Sequence, residues 1–383
     1  MALRWAITGG GTGGHVTPAL ALGEVIRERG DDVLFIGSDR GLEARLVPEA
    51  GFALVALRSR QVMGRGPAGR LLGIASLLLA TLPALRALHR FRADIVISVG
   101  GYAALPATLA ARLLRRPLIL VEPNAIPGRV NRLCARLAAL VFTGFESART
   151  RFPALGDAPE RVRCVGIPLR RALVEAFRGT REARTGTRPL HLLVFGGSQG
   201  ARQLNEAMIE ALPRIAEAEI EVFHQTGERD RARVADAYTK SGVDAVVAAF
   251  EPDMPARYRW ADLALCRAGA LTVAELALAG LPALLVPYPY AADDHQRANA
   301  RELEAAGAAR CLEAGALDGE RVAREIVGLA SEPDALSAMS AAARERGRPR
   351  AAEEIVAQCA ALLARGTAPE SGASRHGTTG REE

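Results

Sequence analysis

Residues 3–20 read LRWAITGGGTGGHVTPAL, and they decide how the chain begins to fold. Leu3–Thr8 is an apolar run with the length of a buried strand, and Gly9–Gly14 is a glycine loop. Pro18–Arg29 has helical character, with Gly30 suited to the C′ position. A second strand is expected at Asp32–Ile36. The order strand, glycine loop, helix, strand opens a doubly wound parallel sheet.

Short apolar runs at Asp94–Val99, Pro117–Val121 and Ala139–Thr143 extend that sheet. After Gly166-Ile167-Pro168, the Arg-, Gly- and Thr-rich stretch Arg178–Pro189 reads as an interdomain connection. The pattern then starts again: strand His191–Phe195, glycine turn Gly196–Gly200, helix Ala201–Leu212, strand Glu221–Gln225. Strands at Ala245–Ala248, Leu263–Cys266 and Ala283–Val286 follow, then a helical segment at 336–364. The polar tail from Gly366 is expected to be disordered. The prediction is an α/β protein with two Rossmann-like domains, residues 1–165 and 189–335, facing across a cleft where a ligand would bind.

The length of 383 residues suits two such domains. With 49% hydrophobic and 24% charged residues, neither wholesale disorder nor a polytopic membrane protein fits. No signal peptide is visible, and no uncharged run is long and unbroken enough to cross a bilayer. The five cysteines are scattered without metal-ligand spacing, which predicts a reducing compartment and no zinc site. The net charge of +6 is unevenly placed. Between Gly51 and Phe145 thirteen arginines face only Asp94 and Glu122, a local +11 that leaves −5 elsewhere. One face of the first domain is therefore expected to meet something anionic, and no nucleic-acid partner is expected. Within that stretch Leu71, Ile74, Leu78, Leu82 and Leu85 form a helical stripe flanked by Arg70, Arg86, Arg90 and Arg92. Core packing should account for most of its leucines, and an anionic membrane surface for the missing acids.

Three loops carry candidate chemistry. Gly9, Gly11 and Gly14 satisfy G-x-G-x-x-G after a strand, so a nicotinamide-dependent oxidoreductase with Asp39 on the ribose is one reading. Glycines also let a diphosphate or a sugar approach N–H groups at a helix start. His15 beside them would be held as a neutral base by the helix dipole. Gly196–Gly200, with Ser198 and Arg202, is a second helix-start anion site. In the third, 267–275, Glu275 could accept hydrogen bonds from two ribose hydroxyls while the helix start faces a diphosphate. Of Asp293, Asp294 and Gln296, the acids suit a cap and Gln296 a sugar contact. No Asp-x-Asp clamp and no Walker loop occur, which favours a metal-independent site in which helix dipoles, Arg170 and hydroxyls stabilise a leaving diphosphate.

Seven motifs in order resemble the MurG family, the peripheral membrane N-acetylglucosaminyltransferases of peptidoglycan synthesis: GGGTGGHVTPALAL, SVGGYAALPATLAA, EPNAIPGRVNR, GIPLR, FGGSQGARQLN, HQTG and the long run from Cys266 to Ala300. The resemblance implies a GT-B fold, with residues 336–365 as a helix returning to the first domain. It implies transfer of N-acetylglucosamine from UDP-N-acetylglucosamine to the C4 hydroxyl of undecaprenyl-diphosphate-linked N-acetylmuramoyl pentapeptide (lipid I), with inversion, giving lipid II. By motif position Thr12, Gly13, Gly14, Asn124, Arg170, Ser198, Ala270, Leu271, Thr272, Val273, Ala274, Glu275 and Gln296 would bind the donor. His15 and Glu122 would serve the acceptor. No cofactor is implied, and the place implied is the cytoplasmic face of the inner membrane, among other cell-wall synthesis proteins. A glycolipid transferase of the same fold with another acceptor, the oxidoreductase and a non-catalytic sugar-nucleotide module are the competing readings.

Overall fold

The computed structural model describes residues 2–58, 67–156, 158–177, 188–313, 315 and 317–367. The first sheet contains β1 (Arg4–Gly9), β2 (Asp32–Ser38), β3 (Ala53–Leu57), β4 (Ile95–Gly100), β5 (Leu118–Glu122), β6 (Leu140–Thr143) and β7 (Val162–Cys164), in the order β3-β2-β1-β4-β5-β6-β7. The second contains β8 (Leu190–Phe195), β9 (Ile220–Gln225), β10 (Ala245–Ala248), β11 (Leu263–Cys266), β12 (Ala283–Leu285) and β13 (Ala309–Cys311), in the order β10-β9-β8-β11-β12-β13. Every pairing is parallel. The chain thus forms the two doubly wound sheets that its repeated strand-loop-helix pattern predicts. Strands such as β4 are buried on both faces because helices cover both sides, which is why they read as unbroken apolar runs.

In the first half the helices are α1 (Gly13–Glu28), α2 (Glu43–Glu49), α3 (Pro67–Phe91), α4 (Leu105–Leu113), α5 (Arg129–Cys134) and α6 (Arg171–Ala176). The second half adds α7 (Arg202–Ile215), α8 (Arg231–Ser241), α9 (Met254–Trp260), α10 (Ala270–Ala279), α11 (His295–Ala305), α12 (Gly319–Ala330), α13 (Pro333–Arg346) and α14 (Ala351–Thr367). Two expectations change. The segment 336–365 is two helices, because Pro349 cannot continue one through residues 347–350. Leu336 and Met339 of α13 stay with the second sheet's core, while Ile355, Val356 and Cys359 of α14 join Trp5, Val16 and Leu20 in the first. The leucine stripe on α3 is only partly core-facing: Leu85 packs against the first domain's core and Leu78 and Leu82 do not. Leu77, Ala80, Ala84 and Leu88 face the core, and Leu78 and Leu82 are more than half exposed together with Leu72 and Leu79. Packing of α3 therefore leaves those four leucines in solvent. Side chains 67–71 and 74, residues 59–66, the connection at 178–187 and the tail from 368 lie outside the described residues.

Candidate active site

In each sheet one strand marks the point where strand order reverses: β1 between β2 and β4, and β8 between β9 and β11. Loops at the carboxyl ends of such strands diverge and leave a crevice. The glycine loops lie there, at the starts of α1 and α7, and 267–269 leads from β11 into α10.

Thr12, extended at φ −139° and ψ 159°, occupies the N-cap position of α1 without a side-chain cap bond, so the helix begins inside the glycine loop rather than at Pro18. His15 lies in its first turn, its Nδ1 2.9 Å from Thr12 Oγ1. Burial, helped by the charge of His295 in the second half, lowers its pKa to about 4, leaving a neutral imidazole. Gly101, at φ +82°, approaches Gly10 O so closely that a side chain there would overlap it. Thr12 and Gly14 are exposed and Gly13 is partly so. The inner side of the loop is already filled. Glu43 of α2, 1% exposed, accepts from Gly11 N and Ser38 N at 2.9 Å each. A dinucleotide would need that cradle for its pyrophosphate, so the oxidoreductase reading fails even though Asp39 follows β2.

Glu122, expected on the acceptor side, lies under the loop that follows β5. Its Oε1 accepts from Asn124 N at 2.9 Å, and its Oε2 from Gly128 N at 2.8 Å and Asn131 Nδ2 at 2.9 Å. It is 1% exposed, and burial raises its pKa against these donors. Both oxygens are engaged in holding the loop. Asn124 bonds to the second half: its Oδ1 accepts from Asn299 Nδ2 at 3.2 Å. Asn299, fully buried on α11, also accepts from Ala125 N at 2.8 Å and donates to Ala268 O at 3.1 Å. One side chain thus joins the loop after β5 to the loop after β11. At the rim, Arg129 and Arg132 of α5 reach Asp293 at 3.0 and 2.8 Å. Asp293 is thereby an interdomain partner rather than a cap, while Asp294 occupies the N-cap position of α11, where its side chain makes no cap bond and pairs with Arg297.

On the second half, Ser198 stands exposed in a loop held by Gln225 Nε2 donating to Gly197 O at 2.8 Å. Arg202 turns away to Glu206, and Arg170 pairs with Glu24 of α1 at 2.6 Å, so neither guanidinium is free for a diphosphate in this arrangement. In α10, Val273 is buried and its N–H bonds to Gly269 O. What the turn offers outward is the N–H groups of Ala270, Leu271 and Thr272, with Thr272 and Ala274 partly exposed. Glu275 Oε2 accepts from the Tyr258 hydroxyl at 2.8 Å, and burial raises its pKa to about 7 against that bond. Gln296 Oε1 accepts from Tyr288 N at 2.9 Å. Arg267 ties the site together, donating to Val286 O, Pro287 O and Gln203 Oε1 at 3.2 Å each.

Sequence reasoning passed over Glu43, Asn299, Tyr258 and Arg267. Asn299 left a trace: a polar residue one turn before Leu303 on the buried stripe of an otherwise amphipathic helix. Glu43 left none, because a first-turn glutamate is an ordinary helix-dipole residue.

Two family models match the chain: the glycosyltransferase family 28 N-terminal domain over residues 5–143 and the family's C-terminal domain over residues 191–355. A UDP-N-acetylglucosamine--N-acetylmuramyl-(pentapeptide) pyrophosphoryl-undecaprenol N-acetylglucosamine transferase of Anaeromyxobacter dehalogenans is 44% identical over 95% of this chain and 94% of its own. The enzyme of the same name from Methylococcus capsulatus is 45% identical, covering 94% and 98%. The crystal structure of Acinetobacter baumannii MurG superposes with a TM-score of 0.76 at 31% identity, over 95% of this chain and 99% of that one. The calicheamicin glycosyltransferase CalG4 shares the fold at 18% identity, with a TM-score of 0.65 over 94% and 100%.

Proposed function

This chain belongs to glycosyltransferase family 28, and from that premise we propose that it transfers N-acetylglucosamine from UDP-N-acetylglucosamine to the C4 hydroxyl of undecaprenyl-diphosphate-linked N-acetylmuramoyl pentapeptide, producing lipid II and UDP. The observation that carries this reading is the facing of the two loop sets: Asn299 bonds to Asn124 and Ala125 after β5 and to Ala268 after β11, so an acceptor held by one half meets a donor held by the other.

The donor's diphosphate lies against the first turn of α10, where Ala270, Leu271 and Thr272 present N–H groups, with Ser198 adding a hydroxyl. Glu275 accepts from the ribose hydroxyls and Gln296 binds the sugar. The acceptor's C4 oxygen attacks the anomeric carbon from the face opposite UDP, and its proton passes to the neutral His15 imidazole. The C–O bond to the diphosphate breaks, and its electron pair leaves with UDP, giving a β linkage by inversion. Burial and His295 oppose an imidazolium at His15, and the negative diphosphate leaving nearby offsets both. Glu122 holds the Asn124 loop in place.

The exposed Leu72, Leu78, Leu79 and Leu82 of α3, with exposed Arg86 and Arg90 further along, support docking on an anionic membrane surface, at the cytoplasmic face where a polyprenyl-linked acceptor would be held. No described helix is long and apolar enough to cross a membrane. Incubation with UDP-N-acetylglucosamine and a lipid I analogue should release UDP and yield the lipid-linked disaccharide. UDP release with a different glycolipid and none with lipid I would move the protein to another acceptor.

A further inference from the structure

We propose that Glu43 is a positioning residue for transfer: its carboxylate permanently occupies the anion cradle of the first glycine loop and so sets the loop that carries Thr12 and His15. The proposal rests on the transferase reading above. Three observations carry it. Glu43 Oε1 and Oε2 take the N–H groups of Ser38 and Gly11, the end of β2 and the loop after β1. A side chain at Gly10 or Gly41 would overlap the carboxylate itself, and one at Gly37 would come within 2.7 Å of Glu43 Cγ, so three glycines leave room for this one residue. The group is 1% exposed and, among the described residues, has no ion-pair partner. A buried carboxylate held by backbone N–H groups alone mimics the way such loops hold phosphate. Gly11, held from behind by that carboxylate, adopts φ +90° and leads directly into Thr12 and the first turn of α1.

The carboxylate makes no contact with the second half, which holds the diphosphate and ribose, and reaches the donor only through the loop of Thr12, Gly13 and Gly14, so its removal should lower turnover far more than donor binding. A displacement of about 1 Å at a reacting group costs on the order of a hundredfold in rate. Glu43→Ala should therefore lower kcat by about a hundredfold, while the affinity for UDP-N-acetylglucosamine, read by calorimetry, falls by no more than about tenfold, on the order of 1.4 kcal/mol. Added formate, which fits the vacated cradle, should restore turnover in Glu43→Ala and do nothing to the wild type. Glu43→Gln places an amide N–H against a backbone N–H and should stay impaired with formate present. Glu49→Ala, on the exposed side of the same helix, should behave as wild type.

The outcomes are separable. If Glu43→Ala binds donor normally, is slow, and formate fails to rescue it, the carboxylate does not act as an internal anion and the proposal is overturned. Wild-type turnover in Glu43→Ala overturns it too. If Glu43→Ala does not fold, circular dichroism will show it, and the Gly11 and Ser38 amides in Glu43→Gln, which keeps the buried volume, decide instead: if both exchange as slowly as in the wild type, the cradle is refuted. Failure of the wild type to transfer to lipid I would count against the transferase reading, and Gly11 and Ser38 amide exchange in Glu43→Gln would still report on the cradle.

Discussion

Replacing Glu275 with Gln should make the empty protein more stable and the donor complex weaker. The carboxyl lies beneath the start of α10 with the Tyr258 hydroxyl 2.8 Å from Oε2, and burial moves its pKa from 4.5 to about 7. A rise of that size means that ionising the buried group costs up to about 3 kcal/mol, a ceiling because the residue keeps some contact with solvent. The sign follows from the raised value. The stability is fully present below pH 4.5 and is lost as pH climbs through about 7. Gln preserves the volume and can still accept from Tyr258, but it has no charge to bury. At pH 4 the two proteins should melt together, and at pH 8.5 Glu275→Gln should melt higher by up to roughly 4 °C. Calorimetric titration with UDP-N-acetylglucosamine, whose diphosphate does not titrate in this range, should show the opposite at pH 8.5. Loss of hydrogen bonds from ribose hydroxyls to a charged acceptor, about 1.5–3 kcal/mol each, weakens binding at least tenfold. Parallel pH–melting curves would refute the buried-charge argument, and unchanged donor affinity would refute the ribose contact.

His15→Ala should lower kcat by about 10²–10⁴ and leave donor affinity within about twofold, since the imidazole acts on the acceptor's proton; wild-type turnover would show that it only packs. In the wild type His15 stays neutral above about pH 4, so any loss of kcat between pH 8 and 5 should persist in His15→Asn. Reversing both Arg86 and Arg90 to Glu should weaken binding to phosphatidylglycerol-rich vesicles by more than about thirtyfold, at about 1 kcal/mol per arginine removed; retained binding would place the membrane contact elsewhere. Asn299→Ala strips the partners of Ala125 N and Ala268 O, and should destabilise the protein by about 2–4 kcal/mol in thermal melts. An unchanged melt would mean that the two halves do not depend on that side chain.

Both switch-point strands could be read directly, because a strand buried on two faces is a continuous apolar run and a glycine loop follows each. Ala245–Ala248 and Leu263–Cys266 occupy their expected positions to the residue. Three of the four edge strands, β3, β7 and β13, were harder: each is three to five residues long, and Arg163 and Arg310 interrupt two of them. The start of α1 was misplaced because Pro18 suits a first helical position, whereas the chain places Thr12 at the N-cap position and carries the proline inside. In the site, Glu275 was conspicuous as a lone acid in an uncharged run. Glu43 and Asn299 act on loops far away in sequence, and no local pattern records such a bond. The arginines at 170 and 202 read as phosphate ligands, but each pairs with a carboxylate, Glu24 and Glu206, that no local pattern in the sequence marks as its partner.

α14 also fixes when folding can finish. The apolar surface formed by Trp5, Val16, Leu20 and Ile26 belongs to the first elements synthesised, and part of its cover, Ile355, Val356 and Cys359, is among the last. At about 5–20 residues per second, roughly 10–40 s separate the completion of the first sheet from the emergence of that helix. During that interval the amino-terminal half carries an uncapped hydrophobic face beside its glycine loop. A nascent chain is therefore most vulnerable to aggregation before its second half is complete, and loss of the last thirty or so residues would harm the half of the molecule that was made first.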